Sequence, residues 1–456
     1  MSLINLAAVK QSLAEAQSCV LAGKVTRASG IVVEAILPQV AVGTSCEIRI
    51  AGGHTITAEV VGFSGSSAIL MPFGDVKGIG EGCPVIPRAS AGEIMVGNRL
   101  LGRVVNAAME PLDDRGGLIL DARVPIHTAA PRAMSRRRIT RPLVLGIRSI
   151  DSCLTCGEGQ RLGIMAGPGI GNSVLLGMLA RSADADVIVV GLVGERGREV
   201  REFVERDLGK GLPRSVVVVA TGDESPLVRV RAGMAATAVA EFFRDQGKRV
   251  LLLIDSLSRM AMAQREIGLA AGEPPTSRGY PPSVFAMLPR LVERAGNAEG
   301  QGSITAMYTV LAEGDDLTDP VVDASRAALD GHIVLSRSLA MAGHFPAVDV
   351  LASVSRVMTD VVTADHRTLA RRVREVLSAY KDAADLVEVG AYVSGTNPRV
   401  DAALRCISEL NAFLCQEPGE RFALAETLNR LRKALDGKPA DGKPLAAVPK
   451  QEERRV

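Results

Sequence analysis

The amino-acid sequence predicts an α/β fold with a mostly parallel sheet at its centre, a small β-barrel before it and a helical domain after it. Three regions of the chain, each with its own residue pattern, support this prediction. In residues 19–95, short β-branched runs are separated by Gly, Pro and Ser about every eight to twelve positions, which is typical of a small barrel or sandwich. Apolar strands alternate with helical stretches over 96–365, and helical periodicity continues over 366–435.

Individual elements can be placed within these regions. Short β-branched runs predict barrel strands at 30–35, 46–50, 55–61 and 68–71. Largely apolar runs, of the kind that a parallel sheet buries on both faces, predict α/β strands at 187–193, 215–220, 250–254 and 303–310. The helical pattern after the sheet predicts helices at 366–380 and 399–435.

The two ends of the chain have a different character. Residues 1–18 form an amphipathic pattern, which predicts either a docking segment for a partner or a membrane surface, or a frayed terminal helix. Residues 436–456 include DGKPADGKP and QEERR and predict a solvated, disordered tail. We therefore place the folded domains between residues 19 and 435.

Composition bounds the class of protein. The 456 residues are 47% hydrophobic and 23% charged, an ordinary globular balance with room for two or three domains. The 53 basic and 51 acidic side chains nearly cancel, and there are no Trp, four Tyr and nine Phe. The chain lacks the charge and the stacking surface that nucleic-acid binding needs, so we expect no nucleic acid partner and only local phosphate chemistry.

The sequence also indicates a compartment. The N-terminus has no uninterrupted apolar core with a cleavage site, and the apolar runs are far shorter than the roughly 18 residues that span a bilayer. Among seven Cys, Cys153 and Cys156 form a CxxC pair without a second pair or a nearby His. We therefore expect free thiols in a reducing cytoplasm rather than a zinc site.

A glycine-rich loop in the α/β region is the first candidate site. Residues 161–179 read RLGIMAGPGIGNSVLLGML, an apolar strand that runs through the loop into a helix. Backbone N–H groups of such a loop, together with the helix N-terminus, can hold a phosphate. In the pattern G-x-x-x-x-G-K-[ST], Ala166 stands at the first glycine, Gly171 at the second, Asn172 at the lysine and Ser173 at the Mg²⁺-binding hydroxyl. The loop alone leaves a structural turn equally open.

Three further features accompany the loop. RVLLLIDS is an apolar strand that ends in Asp255, where a carboxylate can lie near Mg²⁺. VGLVGERGREV leads from a buried strand to Glu195, which can orient an attacking water. LASVSRV presents Arg356 after a strand, as an arginine finger for a neighbouring site. Each feature has an ordinary structural interpretation, but the combination is far more specific than any one of them.

Several longer segments are typical of one family. GERGREV, FRDQGKRVLLLIDSLSR, AMAQREIGLAAGEPPTSRGYPPSVFAMLPRLVERAG and DPVVDASRAALDGHIVLSR resemble the type III secretion ATPases, relatives of the rotary ATP synthase β subunit. The resemblance covers about residues 20–430, and AMAQREIGLA and GYPPSVFA are more similar to the flagellar export branch than to the injectisome branch. It implies a P-loop (RecA-like) core that hydrolyses ATP with Mg²⁺.

The resemblance implies nucleotide-binding roles at matching positions. The loop residues that would wrap the phosphates are Gly167, Pro168, Gly169, Ile170, Gly171, Asn172, Ser173 and Val174. Phe345, in GHFPAVDV, stands where the family usually has a Tyr that packs on the adenine, and a Phe face can serve as well. Core packing remains an alternative for Phe345.

It also implies catalytic and metal-binding roles. Glu195 would activate the hydrolytic water and Arg196 would touch the γ-phosphate. Ser173 and Asp255 would hold Mg²⁺, with Glu199 behind them, although Glu199 is equally well explained as a surface helix charge. Arg356 would reach across a subunit boundary, which requires an oligomer and, by family likeness, a homo-hexamer.

The same resemblance implies a cellular setting. The ATPase would couple hydrolysis to unfolding and delivery of export substrates and their chaperones to an export gate at the membrane. A stator-like regulatory protein would bind the segment 1–18. The chain would be cytoplasmic and peripheral at the inner face of the cytoplasmic membrane, in a flagellar rather than an injectisome apparatus.

The departure from the family pattern at Asn172 bears directly on activity. A P-loop lysine places a positive charge on the β- and γ-phosphates, whereas Asn is shorter and neutral. By analogy with the loss of one transition-state donor, we expect turnover to fall about 10²–10³-fold while nucleotide binding suffers less. Two hypotheses follow: a secretion ATPase with impaired hydrolysis, or a nucleotide-binding, catalytically silent structural ring subunit. Glu195, Asp255 and Arg356 favour the first, because a silent subunit has little use for all three.

Overall fold

Three parts follow one another along the chain: a β-barrel, an α/β domain and a helical domain. The structure is a computed structural model that describes residues 22–88, 92–312, 316 and 318–437. The segment 1–18 and residues 438–456 of the tail lie outside the described residues. The predicted fold class is confirmed, since a barrel, a mostly parallel sheet and a set of helices occur in the expected order.

The first part is a closed barrel of six strands. Its strands, β1 to β6 in chain order, are Gly23–Ser29, Val32–Ile36, Ser45–Arg49, Thr55–Ser64, Ser67–Pro72 and Pro84–Arg88. Neighbouring strands are antiparallel in the order β1-β2-β5-β4-β3-β6, and pairing of β1 with β6 closes the barrel. Alternate side chains such as Val33, Ile48 and Val60 fill the interior.

The sequence prediction missed two barrel strands, β1 and β6. In β1, Val25 lies between Lys24 and Thr26, and β6 contains both Pro84 and Pro87. Proline weakens a strand prediction because it cannot donate a hydrogen bond to the ladder. These two strands are therefore specified by closure of the barrel rather than by their local pattern.

The second part is organised around a nine-stranded sheet. The strands after the barrel, β7 to β19 in chain order, are Glu93–Val96, Arg103–Asn106, Ala122–Pro125, Pro142–Leu143, Cys156–Gly157, Arg161–Ala166, Val187–Glu195, Ser215–Thr221, Arg249–Asp255, Gly296–Asn297, Ser303–Leu311, Gly331–Leu335 and Val348–Ser355. The large sheet runs β19-β18-β12-β17-β15-β13-β14-β8, parallel except for β19, with β16 antiparallel beside β17. Separate small sheets pair β7 with β9, outside the barrel, and β10 with β11.

Helices flank this sheet and form the third part. The α-helices α1 to α12, in chain order among the described residues, are Arg148–Cys153, Asn172–Ser182, Gly197–Glu202, Pro226–Asp245, Leu257–Ala270, Pro282–Val292, Pro320–Ala328, Arg337–Met341, Met358–Val361, Ala364–Glu388, Pro398–Leu414 and Leu424–Leu435. Shorter turns are 3₁₀ at Asn98–Leu100, Ala133–Ser135, Gly209–Arg214 and Ser277–Gly279, and π-helical at Phe203–Leu208. None of the described helices has both the length and the apolar character of a bilayer-spanning segment.

The helix predicted over 399–435 is in fact two helices. The chain leaves α11 at Leu414 and enters α12 at Leu424, with Pro418 and Gly419 between them. Proline lacks the backbone N–H and glycine loses the most conformational entropy in a helix, so both residues favour the break. The resulting segment 415–423 packs against the α/β domain, which gives it a place in the site described below.

The apolar core lies on both faces of the large sheet, and one face also contacts helices next to the glycine-rich loop. Along β13, Val187 and Val189 face one apolar cluster, whereas Ile188 and Val190 face the other, as the two-residue period of a strand requires. The second cluster also holds residues of α2, α11 and α12, so the helical domain shares a core with the helix that follows the glycine-rich loop. Each fully buried aliphatic side chain contributes roughly 1.5–3 kcal/mol to such a core.

Candidate active site

Parallel pairing brings the predicted site residues to one edge of the sheet. Strands β12, β17, β15 and β13 lie side by side and parallel. The glycine-rich loop follows β12, Asp255 ends β15 and Glu195 ends β13. Because the carboxyl ends of parallel strands share an edge, and ligands of open α/β sheets bind in the crevice outside it, the arrangement forms a candidate active site.

The glycine-rich loop turns from β12 into the eleven-residue helix α2. Gly171 precedes the helix with φ of 93°, a left-handed conformation that L side chains rarely adopt. Gly167 and Ile170 are buried, whereas Pro168, Gly169 and Ser173 are exposed. The first N–H groups of α2 have no partner inside the helix and carry its positive dipole end, so the loop can bind phosphate oxygens.

Asp255 is joined to the loop through Asn172. The Asp255 carboxylate is buried, accepts a hydrogen bond of 2.5 Å from Thr309 Oγ1, and burial raises its pKa. Asn172 Nδ2 donates to its two oxygens over 3.4 and 3.5 Å, which are long, weak contacts. Asn172 Oδ1 is buried and accepts no hydrogen bond from any described residue. The side chain at the lysine position is therefore only loosely held.

Glu195 is aimed into the site by an irregularity in β13. The register of β13 against β14 shifts between Val193 and Glu195, as in a β-bulge, and bulges commonly redirect a side chain. Burial raises the pKa of Glu195 to about 7, and a hydrogen bond to Glu199 acts in the same direction. A carboxylic acid with this pKa can gain or lose a proton near neutral pH.

Arg259 is a site residue that sequence reasoning missed. Its guanidinium forms an ion pair with the Glu195 carboxylate. Ser256 caps α5 by accepting a hydrogen bond from the Arg259 N–H, and a Cβ on Gly194 would lie 3.0 Å from Arg259 Cδ. Its position in the first helical turn after the strand that ends in Asp255 is the sequence feature that could have indicated a role in the site.

The first turn after Glu195 carries two further predicted residues. Arg196 is 75% exposed and forms an ion pair of 3.6 Å with Glu199. The hydrogen bond with Glu195 lowers the pKa of Glu199, so this carboxyl ionises at a lower pH than Glu195 does. Glu199 is thus not an isolated surface charge but part of the Glu195 pair.

A cavity of about 540 Å³ adjoins the loop, and Glu195 is not among the residues that line it. Its wall includes Ile170, Gly171 and Val174 from the loop and α2, and Phe345 and Pro346 from the segment before β19. Part of the remaining wall comes from Arg148 and from residues 415–418 and 420, which sequence reasoning did not assign to the site. Phe345 is 47% exposed and so presents ring surface rather than serving only as core.

Arg356 lies apart from these residues. It follows β19, its side chain is exposed, and its backbone N–H donates to the Asp330 carbonyl over 3.1 Å. Within the described ranges its guanidinium makes no hydrogen bond or ion pair. β18 is parallel to β12 and antiparallel to β19, with Ser355 opposite Gly331, so Arg356 lies at the sheet edge opposite to the one that carries the glycine-rich loop.

Family models match all three parts of the chain. The ATP synthase alpha/beta family, nucleotide-binding domain, matches residues 146–355, and its beta-barrel domain matches residues 25–88. The T3SS EscN ATPase C-terminal domain matches residues 362–433.

Curated relatives and solved structures are similar over nearly the whole chain. The flagellum-specific ATP synthase of Pseudomonas aeruginosa is 52% identical, covering 92% of this chain and 94% of the relative. The type 3 secretion system ATPase of Sinorhizobium fredii is 49% identical, covering 90% and 91%. The chain belongs to the type III secretion ATPase family. The structure of assembled EscN from the enteropathogenic E. coli type III secretion system matches with a TM-score of 0.86 and 41% identity, over 91% of this chain and 100% of that one.

Membership of the type III secretion ATPase family implies a nucleotide substrate, and the residues fit one. An exposed loop at a helix N-terminus suits phosphate oxygens, and the adjoining cavity has an aromatic ring for a base. The donors at the loop are the Ser173 hydroxyl, the Asp255 carboxylate and Asn172 Oδ1, which has no partner among the described residues; all are oxygen atoms. Oxygen donors are those that Mg²⁺ prefers, so the donor set fits that ion.

Proposed function

We propose that this chain is the ATPase of a type III protein export apparatus, flagellar rather than injectisome, with hydrolysis slowed by Asn172. The observation that carries the proposal is the meeting of the glycine-rich loop, Asp255 and the Glu195–Arg259 pair at one sheet edge. A phosphate-binding loop faces a carboxylic acid whose pKa is near 7, which is the arrangement that water attack on a γ-phosphate needs.

Binding divides between two surfaces. Backbone N–H groups of Gly167 and of residues 169–174 hold the phosphates, and the Phe345 ring packs on the base in the adjoining cavity. Ser173 and Asp255 would hold Mg²⁺, with Glu199 behind them. When bound, this ion neutralises phosphate charge. The loop amides do not depend on the side chain at residue 172, so ATP binding survives in the native sequence.

Hydrolysis follows from the residues around the γ-phosphate. The Glu195 carboxylate takes a proton from a water, whose oxygen bonds to the γ-phosphorus as the bond to the leaving oxygen of ADP breaks. Arg259 and Arg196 offer positive charge on the same side of the site. Arg259 also favours the ionised form of Glu195, which is the form that accepts the proton.

Compared with a lysine at this position, Asn172 stabilises the transition state much less, whereas the ground state with bound ATP loses little stabilisation. It supplies an amide donor, now held by Asp255, but no charge to the oxygens that become more negative as the γ-phosphoryl group leaves. Loss of one such group costs about 10²–10³-fold in turnover. A catalytically silent structural ring subunit is the second candidate, and the same loosely held Asn172 is what favours it.

Assembly completes the site in this proposal. Arg356 is exposed and unpaired among the described residues, as expected of a side chain that acts on the next subunit of a homo-hexamer. The similarity to assembled EscN, and to EscN in complex with its central stalk EscO, supports a ring with a stalk-like partner. The regulatory protein at residues 1–18, the export substrates and chaperones, the membrane gate and a cytoplasmic, membrane-peripheral location belong to the same proposal.

Two measurements test this function. Calorimetry with Mg²⁺-ATP on the native chain is expected to show binding, and phosphate release by the Asn172→Lys form is expected to rise with protein concentration as subunits assemble. Binding without any hydrolysis in the Asn172→Lys form would select the structural alternative. Absence of nucleotide binding would exclude both candidates.

Complementation tests Arg356 separately. Arg356→Ala and Glu195→Gln are each introduced into the Asn172→Lys form, and each is expected to hydrolyse little ATP alone. Mixing them is expected to restore activity, because a Glu195 from one chain can then meet an Arg356 from the other. Failure of the mixture to exceed either variant would contradict action across a subunit boundary.

A further inference from the structure

The wall of the base cavity is built by two domains. Phe345 and Pro346 come from the α/β domain, between α8 and β19, whereas Cys415, Gln416 and Pro418 come from the segment that joins α11 to α12. A base in this cavity contacts both domains at once. Its affinity therefore depends on what fixes the two sides relative to each other.

Gln416 is the residue that joins them. It is buried, and its backbone N–H donates to the Phe345 carbonyl over 2.8 Å. Its Oε1 accepts from the Arg148 N–H over 2.8 Å, and its Nε2 donates to the carbonyls of Gly146, over 2.8 Å, and Glu420, over 3.0 Å. All four partners are backbone groups, so Gln416 fixes chain positions rather than mobile side chains.

Arg148 and Arg181 hold the same segment from the α/β side. The Arg148 guanidinium donates to the Cys415 carbonyl, pairs with Glu420 at 3.2 Å and lies 4.8 Å from the centre of the Phe422 ring. Arg181, at the end of α2, donates to the Pro418 carbonyl over 2.8 Å. The segment is thus tied both to the start of α1 and to the helix that follows the phosphate loop.

We propose that Gln416 is a positioning residue for the nucleobase: it sets Phe345 and the 415–420 wall at the spacing that accepts the base. This inference rests on the proposed function, in which the cavity takes the base of ATP. Both N–H groups of the Gln416 amide donate to backbone carbonyls and its Oε1 accepts from the Arg148 N–H, so the amide has no donor left with which to recognise the base. Loss of Gln416 therefore weakens the contribution of the base to affinity and leaves the contribution of the phosphates intact.

The test compares two ligands that differ in the base and ribose. Mg²⁺-ATP and Mg²⁺-tripolyphosphate are titrated calorimetrically into the full chain, its Gln416→Met variant and a Gln246→Met control. Gln246 is exposed beyond α4, and the control makes the same chemical change away from the cavity. Gln416→Met is expected to weaken ATP binding about tenfold, near the net worth of one hydrogen bond, with tripolyphosphate binding unchanged.

A milder variant guards against loss of folding. Arg181→Met removes one tether to the Pro418 carbonyl without leaving buried backbone groups at α1 unpaired, and it is expected to weaken ATP binding about threefold with tripolyphosphate unaffected. Unchanged ATP affinity in both variants, or equal losses for both ligands, would overturn the inference. A native chain that binds neither ligand would overturn the proposed function first, and this inference with it.

Discussion

The two ends of the proposed nucleotide site differ in how the side-chain amide at each end is paired. At the base end, defined by Phe345, Pro346, Arg148 and Gln416, the Gln416 amide makes three side-chain hydrogen bonds of 2.8–3.0 Å to backbone groups. At the phosphate end, defined by residues 167–174 with Glu195, Asp255 and Arg259, Asn172 makes only contacts of 3.4 and 3.5 Å and leaves Oδ1 without a described partner.

This difference separates affinity from rate. The Gln416 amide is paired with backbone groups and holds them in place but has no donor left for a changing charge, so the base end contributes to binding. The loosely held Asn172 and the partly protonated Glu195 can change partners as a reaction proceeds, so the phosphate end contributes to turnover. Substitutions at the two ends are therefore expected to have different kinetic signatures.

The largest expected effect comes from Asn172→Lys. Restoring a positive charge beside the β- and γ-phosphates is expected to raise ATP turnover at least tenfold, and up to the about 10²–10³-fold typical of one transition-state donor. Steady-state phosphate release at saturating Mg²⁺-ATP measures it. KM is expected to change much less than kcat, because the base end and the loop amides are untouched.

Asn172→Gln is the matched control. It extends the side chain toward the length of lysine but keeps it neutral, so it separates reach from charge. Turnover of Asn172→Gln is expected to stay close to that of the native chain. If Asn172→Lys also leaves turnover unchanged, the missing lysine does not limit hydrolysis and the phosphate end has been misassigned.

The same contrast explains what the sequence could predict. Asp255, Glu195 and the glycine-rich loop each end or follow a local apolar run, and parallel pairing then brings such strand ends together without further information. Arg148 and Gln416 are 268 residues apart, and their pairing depends on how a helical domain packs on the sheet. Barrel closure through β1 and β6 likewise depends on partners distant in sequence. The sequence therefore predicts individual elements and the residues at their ends, but it does not predict contacts between domains that are distant in sequence.

The next effect concerns the base end. Phe345→Ala removes the ring that is proposed to pack on the base, and aromatic stacking of a base contributes about 1–3 kcal/mol, or about 5–150-fold in affinity. ATP binding measured by calorimetry is expected to weaken by a factor in that range, while turnover at saturation in the Asn172→Lys form stays within about twofold. Phe345→Tyr is the control and is expected to bind ATP as the native chain does. A loss of turnover without a loss of affinity would contradict the separation of the two ends.

The smallest expected effect is a pH dependence confined to the phosphate end. Burial raises the pKa of Glu195 to about 7, so the carboxyl is protonated and unable to accept a proton below that pH, and ionised above it. The value of kcat/KM, which reports the free enzyme, is therefore expected to rise with pH through 7, standing at pH 7 at about half of its alkaline plateau.

The Glu195→Gln variant tests whether the rise of kcat/KM through pH 7 is caused by ionisation of Glu195. The variant is expected to lose both most of its activity and the dependence on pH near 7, whereas Phe345→Ala is expected to keep the native profile because a phenyl ring does not titrate. If kcat/KM instead rises near pH 4 to 5, Glu195 titrates as an ordinary, solvated carboxylate. If the rise of kcat/KM near pH 7 persists in Glu195→Gln, another group is titrating, and the phosphate end needs a different base.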